Sequence, residues 1–213
     1  MPGSLSLEAL ARRLGTLPAS CGPVRLVGVD GHAGSGKTTL ARRLAALLGA
    51  APVLHLDDLA SHEALFAWTD RLTAQVLRPL EQGGRARYQV YDWVARAYTS
   101  EAVLPPAPVV LVEGVGAGRA ALRPYLALLL WMDVPPEDAW RRGQERDGPA
   151  QRDFWAGWIP AERAHFAADP SRPFADCLVR EKGKGRTGYE VLEGARGAPV
   201  PRVNMTLRTG HGS

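Results

Sequence analysis

Cysteine is scarce. The 213 residues hold two, Cys21 and Cys177, far apart and in no C-x-x-C pattern, which excludes a disulfide framework. They read as reduced, partly buried thiols of a cytoplasmic protein. Long hydrophobic runs are missing as well. The most apolar segment, "PYLALLLWMDVPP", has the length of a core strand and falls short of the ~18 apolar residues that span a bilayer. The opening "MPGSLSLEALARRLGTL" alternates as an amphipathic helix does and lacks the apolar stretch of a signal peptide. Nor is there a strong excess of one charge: a net +4 suits anionic ligands in general and is too weak to argue for nucleic acid. The expectation is a soluble protein without a membrane or nucleic-acid partner; a homo-oligomer is left open.

Hydrophobic content of 46% and charged content of 23% are globular values, and the length suits one domain with a real core. The most informative stretch is "VGVDGHAGSGKTTLARRLA" at 27–45. It contains G-x-x-x-x-G-K-[ST] as Gly31, Gly36, Lys37 and Thr38. In such a loop the backbone wraps around phosphate oxygens with its N–H groups pointing inward, and the N-terminus of the next helix adds partial positive charge. Gly31, Ala33, Gly34, Ser35, Gly36, Lys37, Thr38 and Thr39 are therefore the expected nucleotide-binding set. Lys37 would reach the β/γ-phosphates and the Thr38 hydroxyl would ligate Mg²⁺. The motif has the required context, a valine-rich run before it and a helical pattern after it that closes on Gly49.

Around that loop the chain alternates. A helix is predicted over 5–17 and a strand over 24–30; "APVLHLDD" is a second short strand. "SHEALFAWTDRLTAQVLRPLEQGG" reads as a long helix from about residue 62, stopped by Gly83 and Gly84. "RYQVYDWVARAYT", aromatic and β-branched, reads as an extended or hairpin excursion. "PPAPVVLVEGVGAG", "LALLLWMDVP" and "ADCLVRE" supply three more strands, separated by "PEDAWRRGQERDG" and by "DFWAGWIPAERAHFAAD", a helix with a break at Pro160. Strands alternating with helices predict an α/β, P-loop NTPase fold: a parallel five-stranded sheet with helices on both faces. The organisation is an N-terminal helix (1–22), a P-loop domain (23–181) and a basic, glycine-rich extension (182–213) that is either loosely ordered, with a short hairpin around "YEVLEG", or a binding element.

In parallel sheets ligands sit at the strand tips. The second strand ends at Asp57 and Asp58, where one carboxylate could take a proton from an acceptor hydroxyl and the other cap the next helix. The third ends at Glu113, where a carboxylate beside the metal is expected in a P-loop protein. Arg142 and Arg146, at i and i+4 before a Gly-Pro, are candidate lid arginines that would neutralise transition-state charge, unless Glu145 and Asp147 simply pair with them. There is no N-K-x-D guanine-reading signature and no D-E pair after the third strand, which argues against a GTPase and an AAA-type motor.

In order, "VDGHAGSGKTTLA", "VLHLDD", "YDW", "VVLVEG" and "RRGQERD" resemble the uridine kinase-like family of P-loop small-molecule kinases, which includes phosphoribulokinase and bacterial pantothenate kinase, over roughly 24–179. The resemblance implies an ATP- and Mg²⁺-dependent phosphotransferase acting on a hydroxyl of a nucleoside-like or related small molecule. The alternative is a nucleotide-binding regulatory ATPase without such an acceptor. It further implies that Asp57 activates the acceptor, that Glu113 lies near Mg²⁺, and that Lys37, Arg142 and Arg146 serve phosphoryl transfer. Tyr91 and Trp93 would wall the acceptor pocket, unless they are ordinary core aromatics, and Asp58 and Arg96 would complete it. Two departures fall on substrate recognition. Leu59 and Ala60 stand where the family commonly has two aromatics, and Arg96 stands where uridine kinases place a base-reading histidine. An arginine there suits a carboxylate or phosphate better than a neutral pyrimidine, so uridine does not follow.

Overall fold

A computed structural model of the chain describes residues 4–182 and 188–194. The first helix, α1 (Leu7–Thr16), starts where the Ala9 N–H donates to the Ser6 hydroxyl at 3.2 Å, satisfying one of the orphan donors of its first turn. It leads to β1 (Arg25–Asp30), α2 (Lys37–Leu47) and β2 (Val53–His55). The predicted long helix begins at Thr69 rather than at residue 62. It runs as α3 (Thr69–Leu72), a widened π turn (Thr73–Leu77) and α4 (Arg78–Glu81). The π turn precedes Pro79, which has no N–H to continue the ordinary ladder. The hairpin follows as β3 (Ala86–Asp92) and β4 (Ala97–Leu104). Then come β5 (Val109–Glu113), β6 (Leu126–Met132), α5 (Pro136–Asp147), α6 (Arg152–Ala168), β7 (Cys177–Lys182) and β8 (Gly188–Glu193). Pro160 does not break α6, because the helix is held on both sides of it by the buried Trp155, Trp158 and Glu162.

The sheet order is β2-β5-β1-β6-β7-β8. The strands from β2 to β7 pair in parallel, as the alternating pattern predicts. The sixth strand is a correction: β8 returns antiparallel to β7 and comes from the segment assigned to the extension. It lies where a short hairpin is expected around "YEVLEG", and only Val191 of it is fully buried. The Leu5 N–H also donates to the Val191 carbonyl at 2.9 Å, tying the N-terminus to that edge. The rest of the extension, 195–213, and residues 183–187 lie outside the described residues. No helix among the described residues is long and apolar enough to cross a membrane.

Both faces of the sheet are covered. On one, Leu10 and Leu14 of α1 and Leu40 and Leu44 of α2 pack on Val27, Leu111 and Leu128. On the other, Leu72, Val76, Leu77 and Leu80 pack on Leu54, Val110 and Val112. Cys21 and Cys177 are both buried and free, in different clusters, and burial pushes their thiols up to about 12 and about 11.

His165 of α6 stacks on Phe66, with ring centroids 4.6 Å apart, and its Nε2 has no hydrogen-bond partner among the described residues. Burial first, and then the Arg119 charge, push the ring down from 6.5 to about 4 against the weaker pull of Asp169 and Glu162. The unfolded chain therefore binds this proton more readily than the folded one. The contribution to stability is present above pH 6.5 and is lost as pH falls towards 4. The urea midpoint should fall across that window, and less steeply in His165→Phe than in the wild type.

Candidate active site

The order β2-β5-β1 brings three strand tips together. Register pairs Val29 of β1 with Glu113, and His55 of β2 with the same glutamate. The loop from Gly31 to Gly36 then turns over these tips into α2. Its tightness has a steric origin: Gly34, at φ +82°, lies so close to α5 that a Cβ there would sit 2.0 Å from the Ala139 carbonyl oxygen. Gly36, at φ +99°, forms the N-cap of α2, so Lys37 and Thr38 open the helix whose N-terminus faces the cleft. Lys37 is nearly buried and donates to the His32 carbonyl at 3.0 Å.

A cleft of about 690 Å³ opens beside this loop. Of the predicted nucleotide set, Ala33, Gly34, Gly36, Lys37, Thr38 and Thr39 line it, whereas Gly31 and Ser35 are buried and do not. Asp57 and Glu113 line it too. The Glu113 Oε1 accepts from the Thr38 hydroxyl at 3.0 Å and lies 2.5 Å from His55 Nδ1. Burial alone would raise this carboxyl, but the His55 hydrogen bond, the Lys37 charge and the Thr38 hydroxyl outweigh it and hold the group below its usual range. The same bond, with the negative charges of Asp58 and Asp57 nearby, raises His55. Asp57 moves the other way. Its side chain reaches the solvent in the cleft yet is walled by protein, and that burial, followed by repulsion from Glu113, raises its carboxyl against the pull of Lys37. Two carboxylates over one loop are thus pushed apart in acidity, which is how one group is kept ionised and another made basic.

The residues fit a nucleotide with Mg²⁺. The Thr38 hydroxyl and Glu113 carboxylate offer the hard oxygens that Mg²⁺ prefers, and Mg²⁺ takes few protein ligands when phosphates supply the rest. Accordingly, no group of three or more His, Cys, Asp or Glu among the described residues could hold a metal by itself. On the anion side, the buried Nε of Arg142, which lines the cleft, lacks a hydrogen-bond partner among the described residues.

Arg142 and Arg146 of α5 both line the cleft. In this state each is paired: Arg142 Nη1 lies 3.2 Å from Glu181 Oε2, and Arg146 forks onto Asp147 at 2.6 and 3.0 Å. Asp147 also accepts from Trp155 Nε1 at 3.2 Å. Trp93, His62, Phe154 and Trp158 give the cleft an aromatic wall. The Trp93 and His62 centroids are 4.9 Å apart, Phe154 and Trp158 stack at 5.5 Å, and Trp93 Nε1 donates to the Asp57 carbonyl at 3.2 Å.

The other expected acceptor residues are placed differently. Tyr91 is buried behind the wall, its hydroxyl 3.0 Å from His62 Nδ1. Asp58 sits outside the cleft lining and accepts from the Tyr88 hydroxyl at 3.4 Å. Arg96 occupies the hairpin turn at φ +55°, with its side chain 63% exposed and 3.8 Å from Glu63, and does not line the cleft either. Sequence reasoning passed over His55, His62, Phe154 and Trp158. The signals were there in "VLHLDD" and "DFWAGW", but periodicity alone does not say which face of an aromatic helix meets a cleft.

No family profile matches the chain. Curated relatives do: a uridine kinase of Borrelia duttonii is 22% identical over 190 residues, covering 79% of this chain and 92% of that one. A uridine kinase of Latilactobacillus sakei is 25% identical over 197 residues, covering 78% and 90%. The resemblance is to uridine kinases. Solved structures agree on the fold. A possible uridine kinase from Bacillus stearothermophilus superposes with a TM-score of 0.56 at 19% identity, covering 81% of this chain and 96% of the other. A putative fructose transport system kinase from Silicibacter gives 0.52 at 22% identity, covering 76% and 89%. The chain has the P-loop kinase fold.

Proposed function

We propose that this protein is an ATP-dependent small-molecule kinase, transferring the γ-phosphoryl group to a hydroxyl of a nucleoside-like or related metabolite. The observation that carries the reading is the convergence of Lys37, Thr38, Glu113 and Asp57 with two lid arginines on one cleft. Similarity to uridine kinases supports it, and the two free, buried thiols suit a cytoplasmic location.

Bound Mg²⁺ would neutralise phosphate charge. The chain's own residues supply the rest. Thr38 and Glu113 hold the metal side, and Lys37, at the helix N-terminus, meets the β/γ-phosphates. Asp57, the more basic carboxyl, accepts the proton of the acceptor hydroxyl. Arg142 and Arg146 exchange their carboxylate partners for phosphate oxygens. Catalysis then rests on positioning and charge neutralisation, because the transition state is loose. The wall of Trp93, Phe154 and Trp158 suits an acceptor with a flat face. With Arg96 outside the cleft, its cation does not favour an anionic acceptor over a neutral one.

The test is Mg²⁺-dependent ATP consumption across a panel of nucleosides, vitamin alcohols and sugar phosphates, with Lys37→Ala as control. One acceptor should stimulate turnover, and the substitution should lower it by about 10²–10³-fold, the usual loss for one preorganised transition-state donor. Tight nucleotide binding without stimulation by any acceptor would overturn the kinase reading in favour of a regulatory ATPase.

A further inference from the structure

Glu162 is fully buried on α6, is 130 residues from the phosphate loop in sequence, and has no part in the chemistry above. It is nonetheless bonded to that loop. Its Oε1 lies 2.7 Å from His32 Nδ1, its Oε2 accepts from the Ala33 N–H at 3.2 Å, and the same oxygen accepts from Trp158 Nε1 at 2.5 Å. His32 is held from several sides, with Trp131, Trp140 and Phe166 edge-on to its ring at 5.1 to 5.7 Å. Its carbonyl is the one that takes the Lys37 ammonium at 3.0 Å.

A carboxylate buried this far is costly unless every lone pair is used, and it is weak evidence for stability by itself. Here burial would raise the carboxyl, but His32, Lys37 and Trp158 together keep it below its usual range, so it is an anion that can only accept. His32 Nδ1 must then carry the hydrogen. The three donors come from two places: two from the first half of the phosphate loop, and one from a tryptophan of α6 that lines the cleft. One ionised group therefore sets the distance between the loop and the wall, and acts on Lys37 through the His32 backbone.

The geometry points to Glu162 as a positioning residue for the phosphate loop, working with His32 to hold Lys37 and the Ala33 N–H in place for the nucleotide. This rests on the reading of the loop as the Mg·ATP site. Glutamine at 162 keeps the shape but offers one accepting oxygen to three donors, so the loop loses its fixed anchor without losing side-chain volume.

The experiment is direct titration of Mg·ATP with wild type, Glu162→Gln, His32→Ala and the double variant, well below each melting midpoint. Each single change should weaken binding about tenfold, the loss expected for a hydrogen bond to a charged group. The double variant should be no weaker than the worse single, because both changes break the same anchor. Single variants that melt earlier yet bind as wild type does would overturn the inference and leave Glu162 a structural ion only. Independent, additive losses would also overturn it. Absence of Mg·ATP binding by the wild type would overturn both this inference and the kinase reading.

Discussion

Asp57→Asn should lower kcat by about 10²–10⁴-fold, the range for loss of a positioned general base. Asparagine preserves the shape of the side chain and cannot take the hydroxyl proton. Because Asp57 meets the nucleotide loop only by facing it across the cleft, the affinity for Mg·ATP should stay within about threefold, the signature of a group that works in the transition state alone. The pH profile adds a second check. Burial and then the Glu113 charge raise this carboxyl, so it stays protonated to higher pH than an ordinary aspartate. In the wild type kcat/KM should therefore fall as pH drops through a value above the usual carboxylate range. In the asparagine variant the residual rate should lack that limb. A variant retaining a tenth or more of the wild-type kcat would remove Asp57 from the role. Asp58 is not an obvious substitute, since it faces Tyr88 instead of the cleft.

Gly34→Ala should destabilise the fold by about 3 kcal/mol or more and abolish Mg·ATP binding, since two separate penalties coincide. An alanine at φ +82° costs roughly 1–3 kcal/mol in backbone strain. Its Cβ would also meet the Ala139 carbonyl oxygen at 2.0 Å and the Gly143 nitrogen at 2.8 Å, and neither backbone atom can rotate away. The loop must then lift from α5, which carries Arg142 and Arg146, so both halves of the phosphate site separate. Gly49→Ala, beyond the far end of α2, is the internal control: its φ is +71° but nothing lies within 4 Å of the added Cβ, so it carries a positive-φ penalty without the collision. Urea unfolding and nucleotide titration of the two variants separate the terms. Equal losses in both would show that strain alone matters and that the close approach to α5 does not.

Much of this architecture was legible before any coordinate. The five parallel strands follow from short apolar runs bounded by proline, glycine and carboxylates, and such strands admit few partners once both faces must be buried. The phosphate loop was equally legible, since its glycines, lysine and threonine are adjacent in the chain and their chemistry is local. What was missed lies where tertiary contact overrides local preference. Pro160 reads as a break, but Trp155, Trp158 and Glu162 anchor α6 on either side of it. Residues 62–68 read as helix, but the helix waits until Thr69, after the buried Trp68. The hairpin expected around "YEVLEG" exists, but that it adds a sixth strand to the main sheet depends on its pairing with β7.

The candidate site divides in the same way. Asp57, Glu113, Lys37, Thr38, Arg142 and Arg146 were each nameable from their position at a strand tip, loop or helix end, and the fold brings all of them to one cleft. The aromatic wall was only half visible: Trp93 stands in it, Tyr91 behind it and Arg96 outside it, because hairpin twist and turn geometry decide which side chain points inward. The sequence by itself determined the strand-loop-helix that cradles an anion and the order of the parallel strands' chemistry, because both depend on neighbours in the chain and on a period of apolar residues. Only the tertiary structure decided that His55 bonds Glu113 and that Glu162 grips His32. Those pairs are 58 and 130 residues apart, and no local propensity links groups that meet only when the sheet is assembled.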